Sequence, residues 1–167
     1  TTNNLTQSEL ETRFLKLFSE VPAVHEIPMR LTKELVNKKT GYILNIGDHS
    51  YSLEPQVNLG SNDNVGMNCS ADFILRSRER KSPDKPIALF LDGYQYHKDR
   101  IGKDLAQRMF VNRSGKFLAW SLTWRDVEQG FNPAKAHFGN YLTGGDTARV
   151  KQFHKWLTLS GLEKFIG

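Results

Sequence analysis

At 167 residues the chain has room for one domain with a substantial core, and its hydrophobic and aromatic fractions, 38% and 11%, suit a globular protein rather than a disordered or fibrous one. A single cysteine, Cys69, excludes an internal disulfide and argues against a cysteine-built zinc site; a reducing cytoplasm is the simplest compartment. The 23 Lys and Arg against 18 Asp and Glu leave a net charge of +5, which favours a polyanionic partner without specifying one, and no apolar run is long enough to span a membrane.

The chain opens Thr1-Thr2-Asn3-Asn4 with no Met and no signal peptide, which suggests a fragment excised from a longer protein; processing of the N-terminus leaves the same start. Thr6 to Glu9 fits a capping box, and Leu10, Phe14, Leu17 and Phe18 follow helical spacing. These predict an amphipathic helix over 7–20 that ends before Pro22. Glu11 lies beside the apolar stripe, where a solvated helix glutamate is the plainer reading. Residues 22–40 are mixed, with a short helical possibility over Thr32 to Asn37. Tyr42 to Ile46 and Tyr51 to Leu59 read as strands joined at Gly47-Asp48-His49, and 60–66 as a polar loop.

Asn68 to Ser77 is the next strand, and it carries Asp72 inside the apolar segment Ala71 to Leu75. An acid there is costly unless it is paired, hydrogen-bonded or bound to a cation. Arg76 to Lys85 is a charge-rich hairpin loop, a solvated connection or a phosphate contact. Ile87 to Leu91 is a continuous apolar run bounded by Pro86 and by Asp92-Gly93, which predicts a strand buried on both faces. Asp92-Gly93 is either a tight turn or the end of that strand presenting a carboxylate. Ile101, Leu105, Met109 and Val111 place a helix over 99–114, with Gly115 as its C′ residue; Asp104 and Arg108 are spaced as an i,i+4 ion pair on it. A buried strand over 117–123 follows. A loop over 126–145 and a last helix from Asp146 to Leu159, with Val150, Phe153, Trp156 and Leu157 inward, complete the chain.

Short turns between strands predict antiparallel pairs, and a helix between the last two strands predicts a right-handed parallel crossover. The expected fold is α/β with an αβββαβ core: a mixed sheet flanked by helices, the core over about 8–127 and a helical extension over 128–167. If the strands at Ala71 and Leu91 are neighbours, Asp72 and Asp92 lie side by side at the sheet's end. Two such carboxylates repel unless they share a proton or bind a divalent cation. Both, with the Leu91 main-chain carbonyl and water, form a plausible shell for Mg²⁺. His97, five residues beyond Asp92, is a candidate ligand or proton-transfer group, and Glu11 a candidate outer-shell residue.

The segments SELE (8–11), SADFIL (70–75), ALFLDGYQYH (88–97), KDLAQR (103–108) and FLAWSLTWRDV (117–127) together resemble the PD-(D/E)xK nuclease superfamily. Within it they are most similar to the very-short-patch-repair endonuclease-like branch, and to nuclease domains at the C-terminal ends of bacterial DEAD/DEAH-type helicases. The resemblance implies a restriction-endonuclease-like core that cleaves DNA phosphodiester bonds with Mg²⁺, Mn²⁺ substituting. It implies that Asp72 is the central metal-binding aspartate, that Asp92 stands where the branch has a polar residue before Gly, and that His97 and Glu11 match its histidine and first-helix glutamate. It further suggests the nuclease module of a helicase-type defence or repair protein, with DNA and other domains of the same chain as partners. The pattern also departs from the superfamily. The (D/E)xK triplet is absent: Phe90 stands at the acid's place and Asp92 at the lysine's, with Lys98 and Lys103 out of register. Glu54 or Gln56 is a weak substitute for the lost ligand, and a degenerate domain that only binds DNA or a partner protein is the alternative reading. Lys98, Arg100, Lys103 and Arg108, then the 76–81 loop, are the candidate DNA contacts.

Overall fold

A computed structural model describes residues 6–25, 29–82, 85–93, 98–124, 127–128 and 131. Of the loop expected over 126–145 only residues 127, 128 and 131 are described, and the last helix expected over 146–159 lies outside the described residues, as does His97.

Helix α1 (Gln7–His25) starts at the expected capping box. The Thr6 backbone N–H donates to Glu9 Oε2 (3.0 Å) and the Glu9 N–H to Thr6 Oγ1 (3.2 Å), each satisfying a donor that a helix end leaves open. Leu10 and Phe14 are buried against the sheet, with Leu17 and Phe18 packed beside them. The helix does not end before Pro22. It carries this buried proline inside its last turns, where only the bond to the carbonyl four residues back is lost and packing holds the rest.

Six strands form one sheet in the order β1-β2-β3-β4-β5-β6: β1 (Met29–Val36), β2 (Lys39–Ile46), β3 (His49–Leu59), β4 (Cys69–Ser77), β5 (Ile87–Asp92) and β6 (Leu118–Thr123). Neighbours pair antiparallel up to β5, and β5–β6 is parallel across helix α2 (Lys98–Arg113). The mixed α/β class, the antiparallel pairs and the parallel pairing of the last two strands therefore stand as expected. The strand count does not: five strands precede α2, against three in the expected αβββαβ core and four among the segments read as strands (42–46, 51–59, 68–77 and 87–91). The added one is β1, where a short helix over Thr32 to Asn37 was the expectation. All eight of its residues pair with β2, from Met29↔Ile46 to Val36↔Lys39. Asn37 and Lys38 both take positive φ (50° and 67°), which makes them the centre of a two-residue hairpin and not a helix end. Gly41 is required just after that turn. A Cβ there would meet Val36 Cγ2 at 2.7 Å.

Each face of the sheet buries its own apolar cluster. Ile87, Leu89 and Leu91 face the α1 side with Phe14 and Phe73, while Ala88 and Phe90 face the α2 side with Val111 and Phe117. The apolar run of β5 is thus buried on both faces, as its composition predicts. Helix α2 covers less than its sequence promised. Val111 is buried, but Leu105 and Met109 are 60% and 43% exposed. Ser114 N–H bonds back to Phe110 O (3.0 Å), and Gly115 follows at φ 75° as the expected terminator.

One irregularity positions the site. On β3, Tyr51 and Leu53 face α1, yet Val57 and Leu59, of the same parity, face α2. On β4, Cys69 and Ala71 face α2 while Phe73 and Leu75 face α1. Strict alternation forbids both. The pairs Leu53↔Leu75 and Val57↔Ala71 keep one register across the break, so the two strands turn over together. Gln56, at φ 52°, is the pivot on β3, and Asp72 lies opposite it.

Candidate active site

The turn-over brings α1, β3, β4 and the end of β5 to one point. Asp72 is half-buried there and anchored from β5: its Oδ2 accepts the Leu91 N–H at 2.7 Å. Its Oδ1 accepts Gln7 Nε2 at 3.0 Å, and the same nitrogen donates to the Leu91 carbonyl at 3.1 Å. The cost of an acid in an apolar strand is thus offset by a backbone amide and a side-chain amide.

Glu11 lies one helical turn beyond Gln7 on α1 and reaches the same point. The Gln56 side-chain amide, aimed by the kink, donates to Glu11 Oε1. The Glu11 carboxyl is pushed up to about 7, first by burial and then by its hydrogen bond to Asp72 and the repulsion of that carboxylate; Gln56 and Gln7 work in the opposite direction. Near neutrality the Glu11 carboxyl is thus still partly protonated beside Asp72. The kink itself is held from the outer hairpin. Lys39 Nζ donates to the carbonyls of Pro55 and Gln56 (3.2 Å each) and pairs with Glu54 (3.3 Å), and Asn37 Nδ2 donates to Glu54 Oε2 (3.0 Å).

Asp92 takes a different partner from the one expected. It lies on the α2 side, following Phe90, and Arg108 Nη2 bonds its Oδ1 at 2.8 Å. The Arg108 guanidinium also lies 5.0 Å from the centroid of the Phe90 ring. Burial raises the Asp92 pKa most; Arg108 opposes the shift, while Asp104 and Asp72 add to it. Asp72 and Asp92 therefore feel each other's charge, but hydrogen bonds join Asp72 to Glu11 and Gln7 on one side of the sheet and Asp92 to Arg108 on the other. The i,i+4 pairing expected between Asp104 and Arg108 gives way to Arg108–Asp92. Among the described residues no three His, Cys, Asp or Glu side chains cluster to hold a metal ion.

Of the expected DNA contacts, Lys103 is exposed on α2, and Lys98 and Arg100 lie in the helix's first turn. Arg108 is a correction. With its side chain 11% exposed and its charge committed to Asp92, it is an internal cation and not a surface one. The 76–81 loop leaves the C-terminal end of β4, about 13–17 Å along the strand from Asp72 at about 3.3 Å per residue. On the α1 side, Arg13 pins the helix to the segment after β6 through a forked pair with Glu128 (2.8 and 3.2 Å) and lies 3.5 Å over the Phe131 ring.

Sequence reasoning named Asp72, Glu11, Asp92 and the Leu91 carbonyl. It passed over Gln7 and gave Gln56 little weight. The spacing Gln7–Glu11, one turn apart beside the Leu10–Phe14 stripe, was the available signal for the first. A non-glycine residue at positive φ within a strand leaves no signal for the second. No family model, curated protein or solved structure matches the chain.

Proposed function

We propose that the chain is a divalent-metal-dependent DNA endonuclease or nickase of the PD-(D/E)xK type, its site built on Glu11, Asp72 and the Leu91 carbonyl. The carrying observation is the carboxyl pair: Glu11 and Asp72 in contact, without a counter-cation among the described residues, beside a main-chain carbonyl. These are hard oxygen donors at the rim of a sheet, which suits Mg²⁺ or Mn²⁺. A cation held there supplies charge stabilisation at a phosphoryl group and acidifies water. The protein's part is positional. The Leu91 amide fixes Asp72, Gln56 orients Glu11, and Glu11, as its carboxylate, would be the second acidic ligand of a cation. Arg108 holds Asp92 at the edge of the site, and exposed Lys103 with the start of α2 offers charge to a DNA backbone. His97 remains the candidate proton-transfer group. The wider reading is a cytoplasmic nuclease module of a longer helicase-type defence or repair protein.

A specific observation favours the second reading, a nuclease-like domain that binds DNA or a partner without cutting. Phe90, at the place of the superfamily's acid, is buried under α2, and Asp92 is neutralised by Arg108. Plasmid nicking in Mg²⁺ and Mn²⁺ separates the two. The nuclease reading expects nicking by the wild type and its loss in Asp72→Ala and Glu11→Ala. Equal nicking by all three proteins refutes this site. DNA binding without cleavage, together with no Mn²⁺ uptake by calorimetry, favours the second reading.

A further inference from the structure

Resting on the metal-site reading above, we propose that Gln7 is an internal plug of the cation site, its side-chain amide occupying the place from which Asp72, Glu11 and the Leu91 carbonyl would bind a metal. The nitrogen donates to Asp72 Oδ1 (3.0 Å) and to Leu91 O (3.1 Å), and Gln7 is near enough to Glu11 to oppose the rise of its pKa. A carbonyl oxygen can only accept, so the amino end of the amide, not its oxygen, faces this cluster. An NH₂ group carrying partial positive charge thus stands where the Asp72 and Leu91 oxygens converge, beside the Glu11 carboxyl. It performs weakly what a divalent cation performs strongly.

Two features make the plug removable. Asp72 is anchored through its other oxygen by the Leu91 N–H at 2.7 Å, so departure of Gln7 frees Asp72 Oδ1 and Leu91 O together without releasing the aspartate. Gln7 is the first residue of α1 and is exposed, while the Thr6–Glu9 capping box holds the backbone on its own. The side chain can swing to water at the cost of its own hydrogen bonds and nothing else. Binding of a cation is therefore a displacement: the amide leaves as the metal enters, and affinity is set below what the oxygens alone would give. Gln7 is a positioning residue for the empty state. It keeps two carboxyl groups and a carbonyl in place before the ion arrives and opposes weak or singly charged competitors.

The test is calorimetric titration of the protein with Mn²⁺ alone, beside thermal melting without metal. Gln7→Ala is expected to bind Mn²⁺ about tenfold tighter than the wild type, because no amide is displaced. Its metal-free melting temperature should fall by about 3 °C, because the carboxyl pair loses its donor. Gln7→Glu should sharpen both effects by adding a fourth oxygen group. Equal affinity in the wild type and Gln7→Ala overturns the plug and leaves the metal site standing. Weaker binding by Gln7→Ala overturns it too, and makes the residue a ligand. Absence of Mn²⁺ binding in every variant overturns the metal reading and the plug with it, an outcome distinct from the other two.

Discussion

Glu11→Gln isolates the carboxyl pair from everything else that titrates. A glutamine in this position keeps the shape of a protonated glutamate: its NH₂ donates to Asp72 as the acid proton does, and its oxygen still accepts from Gln56. Only the ability to ionise is lost. In the wild type the Glu11 pKa rises from 4.5 to about 7 on folding. Below pH 4.5 both folded and unfolded chains hold the proton, and the stabilisation is complete. Between 4.5 and 7 the unfolded chain releases the proton while the folded one keeps it. Stability therefore falls as pH climbs through this window and levels off above it. At 1.36 kcal/mol per unit, a rise of this size corresponds to about 3 kcal/mol. Glu11 is only partly covered, and solvent screening reduces the figure to about 1–2 kcal/mol. Asp92 slopes in the same direction, so the quantity to follow is the difference between the two proteins rather than the wild-type curve. Urea unfolding at pH 4.5, 5.5, 6.5 and 7.5 should show Glu11→Gln gaining on the wild type by that amount, most of it between the second and last points. A difference that stays constant across the four pH values refutes the raised Glu11 pKa and the reasoning built on it.

Two further outcomes test the α2 side. Arg108→Leu strands the half-buried Asp92 without its cation and should destabilise the fold by about 3 kcal/mol in urea, whereas Arg108→Leu with Asp92→Leu should recover most of that loss. Wild-type stability in Asp92→Leu alone, with Arg108 left intact, would contradict the pairing. DNA affinity, measured by fluorescence anisotropy, should drop at least tenfold between low and physiological salt, with a shallower slope in Lys103→Gln. Salt-insensitive binding removes the electrostatic interface from α2.

Some of this molecule is written plainly in its chain. The run Ile87 to Leu91 has no polar position to spare for solvent, and both of its faces are covered. The Thr6–Glu9 box marks the start of α1 to the residue, and Gly115 marks the end of α2. The misreadings have common physical causes. Met29 to Val36 has no strong local preference, and its strand state comes from eight pairings with β2, a partner that local periodicity cannot see. Pro22 punctuates a helix only where packing allows it. At the site, a strand acid such as Asp72 was visible because burial makes it expensive. The partners of Asp92 were not, because the choice between a neighbouring carboxylate and Arg108 depends on which face of β5 the end of the strand presents. That choice is set by alternation from Phe90, and Asp92 follows Phe90 to the α2 side. Gln56 was the least legible of all, since its role follows from a reversal of two strands at once.

The outermost hairpin of a sheet is usually where a protein tolerates most change. Here Asn37 and Lys39, at the tip of that hairpin, grip the bend from which Gln56 reaches Glu11. Drift in that peripheral turn is therefore felt at the acidic centre, through one ammonium group and two peptide oxygens. A margin of the fold remote from the carboxyls along the chain acts as their adjusting screw.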